Sequence, residues 1–209
     1  MKTIGILGGI ASGKSAATEA LRQLGAVIFD ADKAGHQVLE MPEVKEQIRD
    51  RFSNDVFDEE GNVSRPKLAR LVFGNADDHR QALADLEKIS HPRIGALLEA
   101  ARLHAMAEDA PAFVLDAPVM IKAGWIRHCD YVLFIDSSRA HRLQRALARK
   151  WTENEFDIRE AAQEELEVKR NLADIVIPNN DDLSQLRAAI EAFWKRQVAP
   201  PPGHRGNPR

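Results

Sequence analysis

The sequence predicts an α/β chain in three layers, with a five-stranded, mainly parallel sheet and helices on both faces. Two observations predict it. Short apolar runs at 3–7, 26–29, 112–115, 131–135 and 175–177 are separated by stretches of helical periodicity. Runs that are apolar throughout suit strands covered on both faces, as in parallel sheets. The first run also empties into a glycine-rich turn, and the next ones end at Asp30, Asp116 and Asp136. In such sheets ligands gather beyond the carboxyl ends of the strands.

The elements follow in order. After the first strand and its glycine turn, a helix is expected over 14–24, stopped by Gly25. The strand at 26–29 closes on Asp30-Ala31-Asp32. Residues 33–52 read as helix broken near Pro42, and Asp58-Glu59-Glu60-Gly61-Asn62 as a turn. Pro66 suits the first turn of a helix reaching about Phe73. Residues 76–108 are helical, and His91-Pro92 predicts two helices or a kink there. Beyond the strands at 112–115 and 131–135, helices are expected at 139–149 and 155–172, then a strand at 175–177 and an amphipathic helix at 182–197. The segment 198–209 is rich in proline and glycine, buries little, and is expected to be disordered.

Composition excludes several classes. The chain has 209 residues, 44% of them hydrophobic, enough for one domain with a sizeable core or a core plus a small lid. Its net charge of −3 gives no basic excess for nucleic acid or an acidic membrane surface. No apolar run reaches the roughly 20 residues of a membrane span. The opening apolar run is too short for a signal peptide. A single cysteine, Cys129, makes no internal disulfide, so the cytoplasm is the expected compartment. The seven histidines and Cys129 show no zinc-site spacing. Nothing sets the oligomeric state.

Gly8-Gly9-Ile10-Ala11-Ser12-Gly13-Lys14-Ser15 fits G-x-x-x-x-G-K-[ST], the P-loop motif, between an apolar strand and a helix. Glycines let successive backbone N–H groups converge on one anion, and the helix start adds its positive dipole end. Gly9, Ile10, Ala11, Ser12, Gly13, Lys14, Ser15 and Ala16 are therefore expected to hold ATP. Lys14 would reach the β- and γ-phosphates, and the Ser15 hydroxyl would bind Mg²⁺.

The motif alone does not separate a kinase from other nucleotide-binding proteins. Asp32, at the end of the second strand, can orient an acceptor hydroxyl and take its proton, or the aspartates can cap the next helix. Arg139, Arg142, Arg145 and Arg149 recur at three- and four-residue intervals. Such a face can stabilise a transferring phosphoryl group, or be a solvated basic surface. Asp116 can hold Mg²⁺ through water, or cap a turn. No N-K-x-D motif for guanine is visible.

Together these residues resemble the dephospho-CoA kinase family over about residues 3–180. The phosphate loop is similar to the family's G-G-I-G-S-G-K-S, and Leu24-Gly25 with Asp30-Ala31-Asp32 to its L-G…D-A-D. Gly61 through Leu68 resembles G-x-[LI]-x-R-x-x-L, His91-Pro92 its H-P, and Asp116-Ala117-Pro118 its D-x-P. Arg145 and Arg149 resemble its R-x-x-x-R. Gln163, Lys169, Ala173-Asp174 and Ile177-Pro178-Asn179 resemble Q…K…A-D-x-x-I-x-N.

The resemblance implies ATP-dependent phosphorylation of the 3′-hydroxyl of dephospho-CoA, with Mg²⁺. It implies a P-loop core at about 1–32, 110–140 and 173–197, a helical acceptor-binding insertion at about 33–108 and a lid at about 141–172, all in one domain over 1–197. Asp32 would be the base, with Lys14, Arg145 and Arg149 contacting the transferred phosphate. Asp32, Arg65, His91 and Asp116 would face the acceptor, and Asn179 the adenine edge. Arg65 could instead pair with Asp58 or Glu59, and His91 could be an ordinary buried histidine. Trp125, Trp151 and Trp194 are expected to pack rather than stack on bases.

Several positions depart from the family pattern. Leu7 and Ala16 stand where threonines are usual, and Ala11 replaces a loop glycine, which requires a negative φ at that position. Lys122 replaces an acid near the acceptor region, and Arg142 a glutamine. These departures leave two rivals, a P-loop kinase for another small nucleotide or alcohol, and a nucleotide-binding protein without transfer chemistry.

Overall fold

A computed structural model of the chain describes residues 1–74, 76–163 and 165–199. These form two compact units, residues 1–29 with 104 onward, and residues 30–103. Most of the expected disordered tail, from Pro200 on, lies outside the described residues; Val198 and Ala199 rest against the core.

The first unit is built on a five-stranded sheet in the order β2-β3-β1-β4-β5, comprising β1 (Lys2–Gly8), β2 (Val27–Asp30), β3 (Ala112–Asp116), β4 (Tyr131–Asp136) and β5 (Ile175–Pro178). The β1–β3, β1–β4 and β4–β5 pairings are parallel. β1 is central and buried from Thr3 to Gly8, which explains its unbroken apolar run. Ile4, Ile6, Val114, Leu133 and Ile135 pack with Ala17 and Leu21 of α1 (Lys14–Gln23) and Leu186, Ile190 and Phe193 of α9 (Leu183–Gln197). Each such side chain removed from water contributes about 1.5–3 kcal/mol. α1 ends as expected at Gly25, whose N–H donates to Arg22 while that of Ala26 donates to Leu21, the two bonds of a Schellman cap. Trp125 and Trp194 are buried, and Trp151 is half-buried with Arg159 over its ring.

The second unit is helical, with α2 (Ala31–Leu39), α3 (Pro42–Phe52), α4 (Arg65–Val72) and most of α5 (Asp77–Ala107). Pro42 and Pro66 sit in first turns, where a missing N–H costs nothing. Of the two helices or kink expected at His91-Pro92, the two separate helices are not found: α5 runs through Pro92 as one helix. Proline removes one ladder bond, and the buried face made by Ala82, Ile94 and Leu98 continues across it.

The expected single helix at 155–172 is instead α7 (Glu153–Ala161) and α8 (Leu166–Asn171). Tertiary contacts override local propensity there. Buried Lys169 reaches back to the Gln163 side chain at 3.0 Å, and Leu166 is brought against Gly9.

Candidate active site

The phosphate loop leaves the carboxyl end of β1 and enters α1. Gly13 is the N-cap with φ 101°, and α1 has neither a side-chain cap nor an acid in its first turn. By contrast Asp30 caps α2, Ser138 caps α6 (Arg139–Ala148), a Thr152–Glu155 capping box opens α7 and Asp182 caps α9. The first N–H groups of α1 are thus left for an anion. Lys14 is half-buried and Ser15 is exposed.

Gly13 is required twice. Its φ lies in the left-handed region, and a Cβ there would overlap the Asn179 amide nitrogen. Ala11 corrects an expectation, since its φ is 56° rather than negative. What holds it there is packing. Ala11 is buried in a small cluster with Ala146 and Phe156, flanked by Ile10, Leu143 and Trp151.

Asn179, at the end of β5, braces the loop. Its side-chain amide donates to the Ser12 carbonyl at 2.7 Å, its own N–H donates to Asp136 at 2.6 Å, and its side chain is buried. Arg145 grips the same carbonyl at 3.2 Å, the Asn179 carbonyl at 2.8 Å and Ser137 Oγ at 2.9 Å. Burial, and then the charge of Arg149, lower the Arg145 pKa from its usual value; an arginine nonetheless stays charged. Ser12 Oγ is buried and without a hydrogen-bond partner among the described residues.

The structure divides the four arginines. Arg139 pairs with Asp157 and Glu160 of α7. Arg142 is 3% exposed, pairs with Glu160 and donates to the Ser137 carbonyl at 3.0 Å. Arg145 serves the loop. Arg149 is exposed at the C-cap of α6. Neither the single catalytic face nor the solvated face describes them, because α7 supplies acids at 153, 157 and 160, spaced to meet Arg139 and Arg142.

Asp116 ends β3, half-buried, and accepts from Thr18 of α1 at 3.1 Å. The Asp116 carboxylate and the Ser15 hydroxyl are hard oxygen donors of the kind Mg²⁺ takes alongside substrate phosphates and water. No cluster of three or more His, Cys, Asp or Glu side chains suited to a metal occurs among the described residues.

Asp32, Arg65 and His91 belong to the helical unit. Asp32 is exposed in the first turn of α2, where Asp30 rather than Asp32 makes the cap, to the Lys33 N–H at 3.0 Å. Arg65 begins α4, exposed beside a shallow cavity of about 580 Å³ that Asp58 and Ser64 also line. No ion pair to Asp58 or Glu59 is found, and Asp58 instead accepts from the backbone of Glu60 and Asn62. His91 is half-buried within α5. Lys122 is exposed in the segment after β3.

Sequence reasoning missed Ser137, Glu160, Leu166 and Thr18. Ser137 follows the last residue of β4, so the rule that ligands gather at strand ends points to it. The spacing of acids on α7 is a visible match for Arg139 and Arg142. Leu166 and Thr18 carry no signal outside their packing.

A parallel sheet whose central strand delivers this loop to an uncapped helix defines a P-loop kinase fold. Residues 2–185 match the family model described as dephospho-CoA kinase. A dephospho-CoA kinase of Symbiobacterium thermophilum is 35% identical over 93% of this chain and 81% of its own. One of Dehalococcoides mccartyi is 30% identical over 95% and 98%. The crystal structure of TT1252 from Thermus thermophilus superposes with a TM-score of 0.78 at 30% identity, covering 95% of this chain and 98% of that one. The chain belongs to the dephospho-CoA kinase family, a family of phosphotransferases. No described helix is long and apolar enough to cross a membrane.

Proposed function

We propose that the chain transfers the γ-phosphoryl group of ATP to the 3′-hydroxyl of dephospho-CoA, giving coenzyme A and ADP, in the cytoplasm. The observation that carries this reading is the uncapped start of α1 behind a loop braced by Asn179 and Arg145. Loop amides from Gly9 to Ala16, with Lys14, hold the phosphates, and Asn179 sets the loop's shape. Mg²⁺ held by Ser15, and through water by Asp116, would neutralise oxygens of the β- and γ-phosphates.

Asp32 orients the acceptor hydroxyl and takes its proton as the oxygen bonds to the γ-phosphorus and ADP leaves. Arg65, His91 and Asp116 contact the acceptor. Arg145 exchanges backbone carbonyls for phosphate oxygens during transfer, and Arg149 joins it. Fixed charges of this kind act by electrostatic stabilisation without reorganising at the moment of reaction.

The test is release of ADP from ATP and Mg²⁺ with dephospho-CoA as acceptor. Turnover that needs dephospho-CoA supports the reading. Turnover only with a nucleoside monophosphate or a sugar-like alcohol overturns the acceptor, and ATP binding without any transfer overturns the activity. Asp32→Asn should lower kcat by about 10²–10⁴ while the Kd for ATP stays near that of the unchanged protein.

A further inference from the structure

We infer that the Arg142–Glu160 pair is a positioning device that holds the phosphate loop in its ATP-binding shape by backing Gly9. The inference rests on the reading that this loop binds ATP.

Arg142 touches three things at once. Its Nε donates to the Ser137 carbonyl beyond β4 at 3.0 Å, and its Nη1 pairs with Glu160 of α7. A Cβ added to Gly9 would lie 3.1 Å from Nη1 and 3.3 Å from Cδ of Arg142, so the arginine side chain lies along the loop's second glycine. Leu166 of α8 closes the same side of Gly9. The Phe156 ring lies 5.6 Å from the guanidinium carbon. At 3% exposure the guanidinium is walled in, and its contacts to the Ser137 carbonyl and to Glu160 are both internal.

Arg142 therefore does not serve as a phosphate ligand. Its charge is tolerated in that place because Glu160, itself 29% exposed, stands against it. Glu160 also receives Arg139 at 3.5 Å, so it links the exposed α6–α7 ion pairs to the buried arginine. The Gly9 carbonyl accepts from the Ser12 N–H at 3.1 Å, a bond that closes the loop on itself. A displaced Arg142 would let Gly9 move, and the loop amides downstream of it would lose their common focus. An unpaired buried guanidinium is costly enough to drive that displacement.

The loss should fall on ATP binding and spare the chemical step, because the loop grips ATP in the ground state and the transition state alike. The control is Asp157. It pairs with Arg139 across the same two helices, and Arg139 is half exposed with its guanidinium turned to Asp157 and Glu160.

The experiment measures the Kd for ATP–Mg²⁺ by calorimetry on the full chain without acceptor, then KM and kcat with dephospho-CoA. Glu160→Gln should raise the Kd about tenfold, with KM for ATP rising in step and kcat within about twofold. Asp157→Asn should leave the Kd unchanged. Arg142→Gln combined with Glu160→Gln should cost less than the sum of the two single changes, since they act through one contact. A Kd unchanged or lowered in Glu160→Gln overturns the inference, as does a rise in Asp157→Asn of the same size. Should Arg142→Gln fail to fold, the Glu160 and Asp157 variants still decide. If the unchanged protein binds ATP yet ignores dephospho-CoA, the proposed acceptor fails while the Kd comparison still tests Arg142 and Glu160.

Discussion

The Asn179 side-chain amide donates to the Ser12 carbonyl at 2.7 Å, tying the last strand of the sheet to a loop 167 residues earlier in the chain. Ser12 is 1% exposed, so water does not readily replace this donor. Asn179→Ala should lower stability by about 1–2 kcal/mol. Asn179→Asp should be worse, because it sets a carboxylate against a carbonyl oxygen. Thermal melts read the stability, and ATP calorimetry should show weaker binding in both variants. An Asn179→Asp protein with an unchanged melt and an unchanged Kd would remove Asn179 from the loop's support.

Ala11 sits at φ 56° with its methyl inside the Ala146–Phe156 cluster. A left-handed backbone costs a non-glycine residue about 1–2 kcal/mol. Ala11→Gly relieves that, but loses about 0.8 kcal/mol of methyl burial and adds about 0.4–1 kcal/mol of unfolded-state entropy. The terms nearly cancel, so Ala11→Gly should move stability by less than about 1 kcal/mol. Ala11→Val should cost about 2 kcal/mol or more, since a β-branched residue is strained at this φ and has no room to repack. Denaturant melts of the two variants check the order.

The contrast between Gly25 and the α7–α8 break shows what was legible. Gly25 announces a helix end because the chain needs a residue free of Cβ strain there, and the structure has that cap. The phosphate loop was legible for the same reason, since its geometry restricts residue type. The break between Ala161 and Leu166 carries no glycine or proline, and it follows from Leu166 reaching Gly9 and Lys169 reaching Gln163. Pro92 was the converse, a local signal for two helices where the chain instead runs on as one, α5. Helical spacing put four arginines near one face, but spacing does not name partners. Only the fold reveals that Arg142 is buried against Glu160 while Arg145 turns to the loop.

Cys129 is half-buried, its sulfur 3.9 Å from that of Met120. Burial first, and then the charges of Asp130 and Asp174, push its thiol pKa up to about 12. The fold thus favours the neutral thiol. That contribution to stability is complete below the ordinary thiol pKa of about 8.5 and is lost as pH rises from there toward about 12. The thiolate is the reactive form, so at pH 8 alkylation by iodoacetamide should be roughly a thousandfold slower in the folded protein than in denaturant. Mass spectrometry over time gives both rates. Equal rates would mean that Cys129 is neither buried nor held neutral.

Arg145 and Arg149 lie one turn apart on α6 and should fail differently. The Arg145 guanidinium holds the carbonyls of Ser12 and Asn179 and the hydroxyl of Ser137. Arg149 is exposed at the end of the helix. Arg149→Ala should therefore leave stability within about 0.5 kcal/mol while lowering kcat by about 10² if it meets the transferring phosphate. Arg145→Ala should lower both, with a stability loss of about 1–3 kcal/mol from the unpaired carbonyls. Arg145→Lys separates charge from geometry. A single ammonium cannot span three acceptors that a planar fork can, so it should restore part of kcat and little of the melting temperature. The measurements are thermal melts and steady-state kinetics on the same preparations. An Arg149→Ala protein with unaltered kcat and KM would leave Arg145 as the only arginine of the pair that acts on phosphate.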